Sequence, residues 1–120
     1  MTVHLFIYGT LKRGQPRHAA LSRQTFVAEV RTAPAYRMFN AGTYPALVEA
    51  EQGVAVEGEL WAVSETCLRE LDVIEGVAER LYARRPVLLQ SPHDNVVAET
   101  YLYLQNIAGF RDCGSRWRGA

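Results

Sequence analysis

Between residues 54 and 76 the hydrophobic period changes once, from two to nearly four, and that switch limits the fold more than any other feature of the chain. "VAVEGELWAV" (54–63) alternates as a strand does. One face carries Val54, Val56, Gly58, Leu60 and Ala62. The other carries Ala55, Glu57, Glu59, Trp61 and Val63, a mixed face expected to be partly wet. Gly58 inside the run predicts a bulge or a close backbone approach. "SETCLRELDVIEG" follows with no linker. Ser64 is a good N-cap, and Glu65 sits in the first turn, where the helix dipole favours a carboxylate. Leu68, Leu71 and Ile74 recur at helical spacing, and Gly76 stands where a glycine ends a helix.

Around this strand–helix joint the chain reads as further short strands. "VHLFIY" (3–8) is rich in β-branched and aromatic residues and stops at Gly9. A short helix is expected within Arg17–Phe26, then one or two strands in "FVAEVRTAPAYRMF", interrupted at Pro34. "NAGTYPALV" (40–48) has the composition of a turn entering a strand. "RRPVLLQ" and "VVAETYLYLQ", flanking "SPHDN", predict a terminal hairpin. From Gly109 on, no element is assigned. Several strands with two helices and no regular alternation argue against a doubly wound sheet. They predict one α+β domain over 1–120: a small mixed, largely antiparallel, β-barrel-like sheet with two short helices.

The stretch "FIYGTLKRGQ" (6–15) asks why a buried-looking strand breaks into glycines beside cations. Gly9 and Gly14 have the separation of a phosphate-binding P-loop, but Gln15 and Pro16 stand where that loop carries its lysine and hydroxyl. Pro16 also lacks an N–H where one is needed, so the phosphate reading fails. What survives is a loop of backbone amides at the end of a strand, either a structural turn or a concavity suited to a carboxylate.

Composition narrows the partners. Lys plus Arg and Asp plus Glu balance at 13 each, so no net field draws the chain to nucleic acid or anionic membranes. Lys12, Arg13, Arg17 and Arg23 cluster locally and read as a solvated loop and helix face or, as the less favoured alternative, a polyanion site. No apolar run approaches the roughly 18 to 20 residues of a membrane span, and the N-terminus lacks the order of a signal peptide. Cys67 and Cys113 have neither C-x-x-C spacing nor a His-rich tract nearby and read as free thiols rather than zinc ligands. A cytoplasmic monomer is expected.

The N-terminal "YGTLKRGQPRH" resembles the signature of the γ-glutamylcyclotransferase-like family, and especially its γ-glutamylamine cyclotransferase branch. The resemblance continues through "VEGELWAV", "LRELDVIEG" and "LYARRPV", in the same order and at comparable spacing, over roughly residues 3 to 104. It implies an enzyme that releases an amine from a γ-glutamyl compound and closes the glutamyl part into 5-oxoproline by attack of the substrate's own α-amine. No metal, nucleotide or flavin is implied, and the partner is a small γ-glutamyl molecule. The family's L-D-x-x-E-G pattern maps onto Leu71–Gly76 and makes Glu75 the residue that takes and returns the proton. The same mapping makes Tyr8, Gly9, Thr10 and Leu11 the substrate loop, with Tyr82 near the pocket. Tyr44-Pro45 resembles a family motif at the cavity wall, although alone it reads as turn chemistry.

The residues themselves bear on Glu75. It lies four positions after Leu71, on the face assigned to the core, and in the last helical turn, where the dipole disfavours negative charge. Both influences raise a carboxyl pKa. Asp72 and Glu70 fall nearer the outer faces. Arg37, Arg84 and Arg85 are candidates for a second substrate carboxylate, or plain surface residues. The competing reading is a non-catalytic module that holds a small carboxylate metabolite on the Gly9 loop. Carboxylate-pair hydrolysis by Glu57 and Glu59, about 7 Å apart by strand rise, is set aside because such acids flank a cleft rather than share a strand face. Cys67 as a nucleophile has no histidine nearby in sequence.

Overall fold

The N-terminal strand β1 (Thr2–Ile7) is the middle of the molecule because both its faces are apolar. In this computed structural model, which describes residues 2–119, Leu5 and Ile7 point into one hydrophobic cluster and Phe6 and Tyr8 into another. Seven more strands follow: β2 (Thr25–Arg31), β3 (Tyr36–Asn40), β4 (Pro45–Glu49), β5 (Glu57–Ser64), β6 (Tyr82–Val87), β7 (Ala98–Tyr103) and β8 (Arg111–Asp112). The helix α1 (Glu65–Ile74) lies between β5 and β6.

Five strands form one sheet in the order β2-β5-β1-β7-β6, antiparallel except for the β1–β7 pair. The other three form a second sheet, β4-β3-β8. Single bridges, Thr32 to Leu89 and Tyr36 to Val54, draw the edges together without a continuous ladder. The α+β, largely antiparallel class is therefore as expected, but the strands curl into two sheets and not into a closed barrel.

The joint between β5 and α1 follows the sequence closely. Ser64 is extended at φ −71°, ψ 158°, and its Oγ accepts from Cys67 N at 3.1 Å. Leu68 and Leu71 are buried against Ile7, Trp61 and Val63. The helix ends in a Schellman arrangement: Gly76 N donates to Val73 O, Val77 N to Asp72 O, and Gly76 sits at φ +66°. Ile74, expected in the core, is 37% exposed, because the helix stops there and Glu75 turns inward in its place.

Other expectations are adjusted. The predicted first helix is only a 3₁₀ turn, His18–Leu21, with no side-chain cap. The second face of β5 is wet only at its start: Ala55 and Glu57 are partly exposed, while Trp61 and Val63 are buried and Glu59 is 7% exposed. At Gly58 a β-carbon would lie 2.4 Å from Ile7 O and 2.6 Å from the Phe6 ring, so this glycine serves a close backbone approach. The irregularity in pairing falls on β2, between Phe26 and Ala28. β6 and β7 form the expected hairpin. The unassigned tail is anchored by β8 and by Trp117, which is buried in the core. No helix among the described residues is long and apolar enough to cross a membrane.

Candidate active site

Tyr8, Gly9, Thr10 and Leu11, all buried, continue from β1 into a turn closed by Lys12 N donating to Gly9 O at 3.1 Å. Arg17 N donates to Thr10 O at 2.9 Å and fixes the far side of the turn. The carbonyls of Gly9 and Thr10 are thus engaged. The N–H groups of Gly9, Thr10 and Leu11, in contrast, donate to no partner among the described residues. Buried backbone amides are nearly always paired, so three consecutive unpaired donors form a concavity that suits an acceptor. The Leu11 side chain packs among Ile7, Leu21 and Leu68. Gly9 has no positive φ; a β-carbon there would meet Pro45 Cγ at 2.6 Å and Cδ at 2.9 Å, so glycine is needed for the closeness of β4.

The other wall comes from the end of α1. The Schellman turn and the bond from Leu81 N to Gly76 O fold the chain back, so β6 starts at Tyr82 close to Glu75. Tyr82 Oη donates to Pro45 O, and its ring stands edge-on to Tyr44 at 6.2 Å. Glu75, Tyr82, Tyr44, Pro45, Tyr101 and residues 8–11 line one cavity of about 20 Å³. That volume holds about one water molecule.

The electrostatics single out Glu75. Its half-buried carboxyl has no hydrogen-bond partner among the described residues. Burial raises it from 4.5 to about 7, while the Arg17 guanidinium pulls in the opposite direction. Tyr82 is pushed well up by burial and then by the Glu75 charge, so its phenol stays protonated. Tyr8 is raised by burial in the same sense, and its Oη donates to Tyr101 O at 2.6 Å.

Sequence reasoning misplaced Asp72. It is half-buried and forms the hub of a bracket one turn before Glu75. Arg84 Nε and Nη2 bond its two oxygens at 3.0 and 3.2 Å, and Tyr101 Oη donates to it at 2.7 Å. Arg84 Nη1 also reaches Glu99 at 2.7 Å. Arg84 is therefore committed to the bracket, and Arg37 to Asp112 at 3.1 Å. Tyr101 is a cavity residue that sequence reasoning missed, since in "ETYLYLQ" it resembles any core tyrosine. Arg17 was read as part of a solvated face. Glu59 is consumed by Arg13 at 3.0 Å and by the Trp61 indole at 3.1 Å, which removes it from any carboxylate pair. A larger cavity, of about 650 Å³, lies elsewhere and shares no lining residue with this one.

Fold and cavity together define a class: a β-rich α+β domain in which unpaired amides after the first strand and a partnerless carboxyl at a helix end border one small cavity. Residues 5–118 match the model of the family described as gamma-glutamyl cyclotransferase, AIG2-like, and the chain belongs to that family. It is 40% identical over 98 residues to a human gamma-glutamylaminecyclotransferase, covering 75% of this chain and 63% of the human one. It is 38% identical over 73 residues to a putative gamma-glutamylcyclotransferase of Vibrio cholerae, covering 61% of this chain and 62% of that protein. The matched part thus spans less than two thirds of either relative. Among solved structures, an AIG2-like protein from Mus musculus superposes with a TM-score of 0.75 at 32% identity, covering 84% of this chain and 76% of the mouse chain. A uropathogenic E. coli-specific protein superposes at 0.80 with 24% identity, covering 94% of this chain and 88% of that one, a likeness of fold alone.

Proposed function

We propose that this domain is a γ-glutamyl(amine) cyclotransferase that converts a γ-glutamyl amine or amino-acid derivative into 5-oxoproline and the free amine. The observation that carries the reading is Glu75: a carboxyl without a hydrogen-bond partner among the described residues, pushed up by burial to about 7, in the cavity lined by Gly9, Thr10 and Leu11. A carboxylate of that pKa is matched to proton transfer near neutral pH.

In this scheme the substrate's α-ammonium gives its proton to Glu75. The freed amine attacks the γ-carbonyl of the same molecule, and a five-membered ring closes. Such closure draws on effective molarities of about 10⁵ to 10⁸ M when the reacting atoms are aligned, and the protein supplies the alignment. The unpaired N–H groups of the loop donate either to the glutamyl carboxylate or to the oxygen anion that develops at the attacked carbonyl. One such donor to a developing oxyanion is worth about 3 to 4 kcal/mol of the barrier. The tetrahedral carbon then expels the amine as Glu75 returns the first proton to its nitrogen, and the second proton, shed by the ring nitrogen as the lactam forms, leaves with the amine, which departs as an ammonium ion. Water is not consumed, and the bonds balance without a metal or redox group.

The cavity, about 20 Å³, is tight for a glutamyl group, and the scheme has one wall give way on binding. The tip of the β3–β4 hairpin is the lightest part of that wall. It carries Tyr44, contains Gly42 at φ +114°, and is held by Ala41 N to Tyr44 O and Gly42 N to Asn40 Oδ1.

The reading is tested by incubating the purified protein with a panel of γ-glutamyl amines and γ-glutamyl amino acids while measuring 5-oxoproline and free amine. Turnover by the wild type, lost in Glu75→Gln with the fold retained, is the expected result. Binding without release would favour the alternative, a module that only holds a carboxylate metabolite. Normal turnover by Glu75→Gln would remove Glu75 from the proton path.

A further inference from the structure

The cavity of about 650 Å³ has no part in the scheme above. It opens between the β2–β5 edge, the segment 90–93 and the C-terminal residues 116–117, with Lys12 and Arg13 as its remaining wall. Its volume lies in the range that holds small molecules. Part of its charge is already engaged. Arg13 meets Glu59 through Nε at 3.0 Å and backbone N at 3.2 Å, approaches Glu29 at 3.6 Å, and covers the Phe26 ring at 3.9 Å. That set is structural.

The remaining groups are unbalanced. Among the described residues Lys12 Nζ donates only to the backbone carbonyl of Trp117, at 2.9 Å. Arg31 and Arg116 have no side-chain hydrogen bond or ion pair among the described residues. Against these three cations stand Glu57, held loosely by Ser115 Oγ at 3.3 Å, and the exposed Glu29, which shares Arg13 with Glu59. The local field agrees: the Lys12 ammonium is pushed down by partial burial and next by the Arg116 charge. A concave site with an excess of cations on separate walls favours a ligand with more than one negative group.

We propose that this cavity is a second binding site, for a small polyanion, held by Lys12, Arg31 and Arg116 and separate from the Glu75 cavity. The shared chemistry is two or more anionic oxygen groups, whether carboxylate or phosphate.

The test is calorimetric titration of the intact protein at low ionic strength with citrate and with pyrophosphate, the two probes separating a carboxylate source from a phosphate one. Saturable binding of at least one probe is expected, weakened by added salt. Arg31→Ala and Arg116→Ala should each weaken it about tenfold, as loss of a charge-assisted contact does. Glu57→Gln, which removes the opposing carboxylate, should tighten it. Glu75→Gln should leave it unchanged, so the proposal and the assignment of Glu75 stand or fall separately. No saturation by either probe, an affinity indifferent to both arginines, or competition by 5-oxoproline would overturn it.

Discussion

Replacing Glu75 by Gln should change stability in a way that depends on pH, and the sign follows from the site. A carboxyl that titrates at about 7 when folded and at 4.5 when free binds its proton more tightly in the native state. Below the lower value both states are protonated, and the group costs folding nothing. As pH rises through the window the unfolded state ionises first, so stability falls; above the upper value the full penalty is present. At 1.36 kcal/mol for each pH unit of that separation, the penalty is about 3 kcal/mol as an upper bound. Glutamine has nearly the same shape and cannot ionise. Glu75→Gln should therefore match the wild type near pH 4.5 and exceed it by about 2 to 3 kcal/mol at pH 8. For a domain of this size that is a rise in Tm of about 10 °C. Urea unfolding of both proteins at a series of pH values reads the difference directly. A constant difference across the series would mean that the carboxyl is solvated, and its role as a base near neutrality would go with it.

The remaining predictions concern the walls of the same cavity. Gly9→Ala puts a methyl group against the Pro45 ring; thermal unfolding should show a loss of about 1 to 3 kcal/mol, and 5-oxoproline formation should fall more than that loss explains. Tyr82→Phe removes the bond to the Pro45 carbonyl, so unfolding should show a loss of about 1 to 2 kcal/mol, and hydrogen exchange at residues 41–45 should speed up. Asp72→Ala leaves Arg84 with Glu99 alone and frees the Tyr101 hydroxyl. It should lower kcat more than it raises KM, because it disturbs the bracket beside Glu75 and removes no group that lines the cavity.

The joint of β5 and α1 was the most legible part of the fold, since Ser64, Glu65, Leu68, Leu71 and Gly76 act through local rules of capping and periodicity. The residues that border the cavity were named from a motif, and their side-chain environment depends on contacts distant in sequence. Gly9 illustrates the difference. Its position was legible, but its reason, the Pro45 ring 36 residues away, was not. Asp72 and Arg84 looked like surface charges because an ion pair between a helix and a later strand has no local signature. Glu59 looked half wet because alternation along one strand says nothing about whether neighbours cover both faces. The barrel-like class was legible but the degree of closure was not: strand patterns announce a curled sheet, while closure depends on edges that here, among the described residues, meet in single bridges at Thr32 and Leu89 and at Tyr36 and Val54.

The most direct test of the chemistry is the fate of the γ-carbonyl when a γ-glutamyl substrate is turned over in ¹⁸O-labelled water. Attack by the substrate's own amine predicts 5-oxoproline and amine in equal amounts, with no label in the ring carbonyl. Glutamate carrying one labelled oxygen would show that water is the nucleophile and would contradict cyclisation in this cavity.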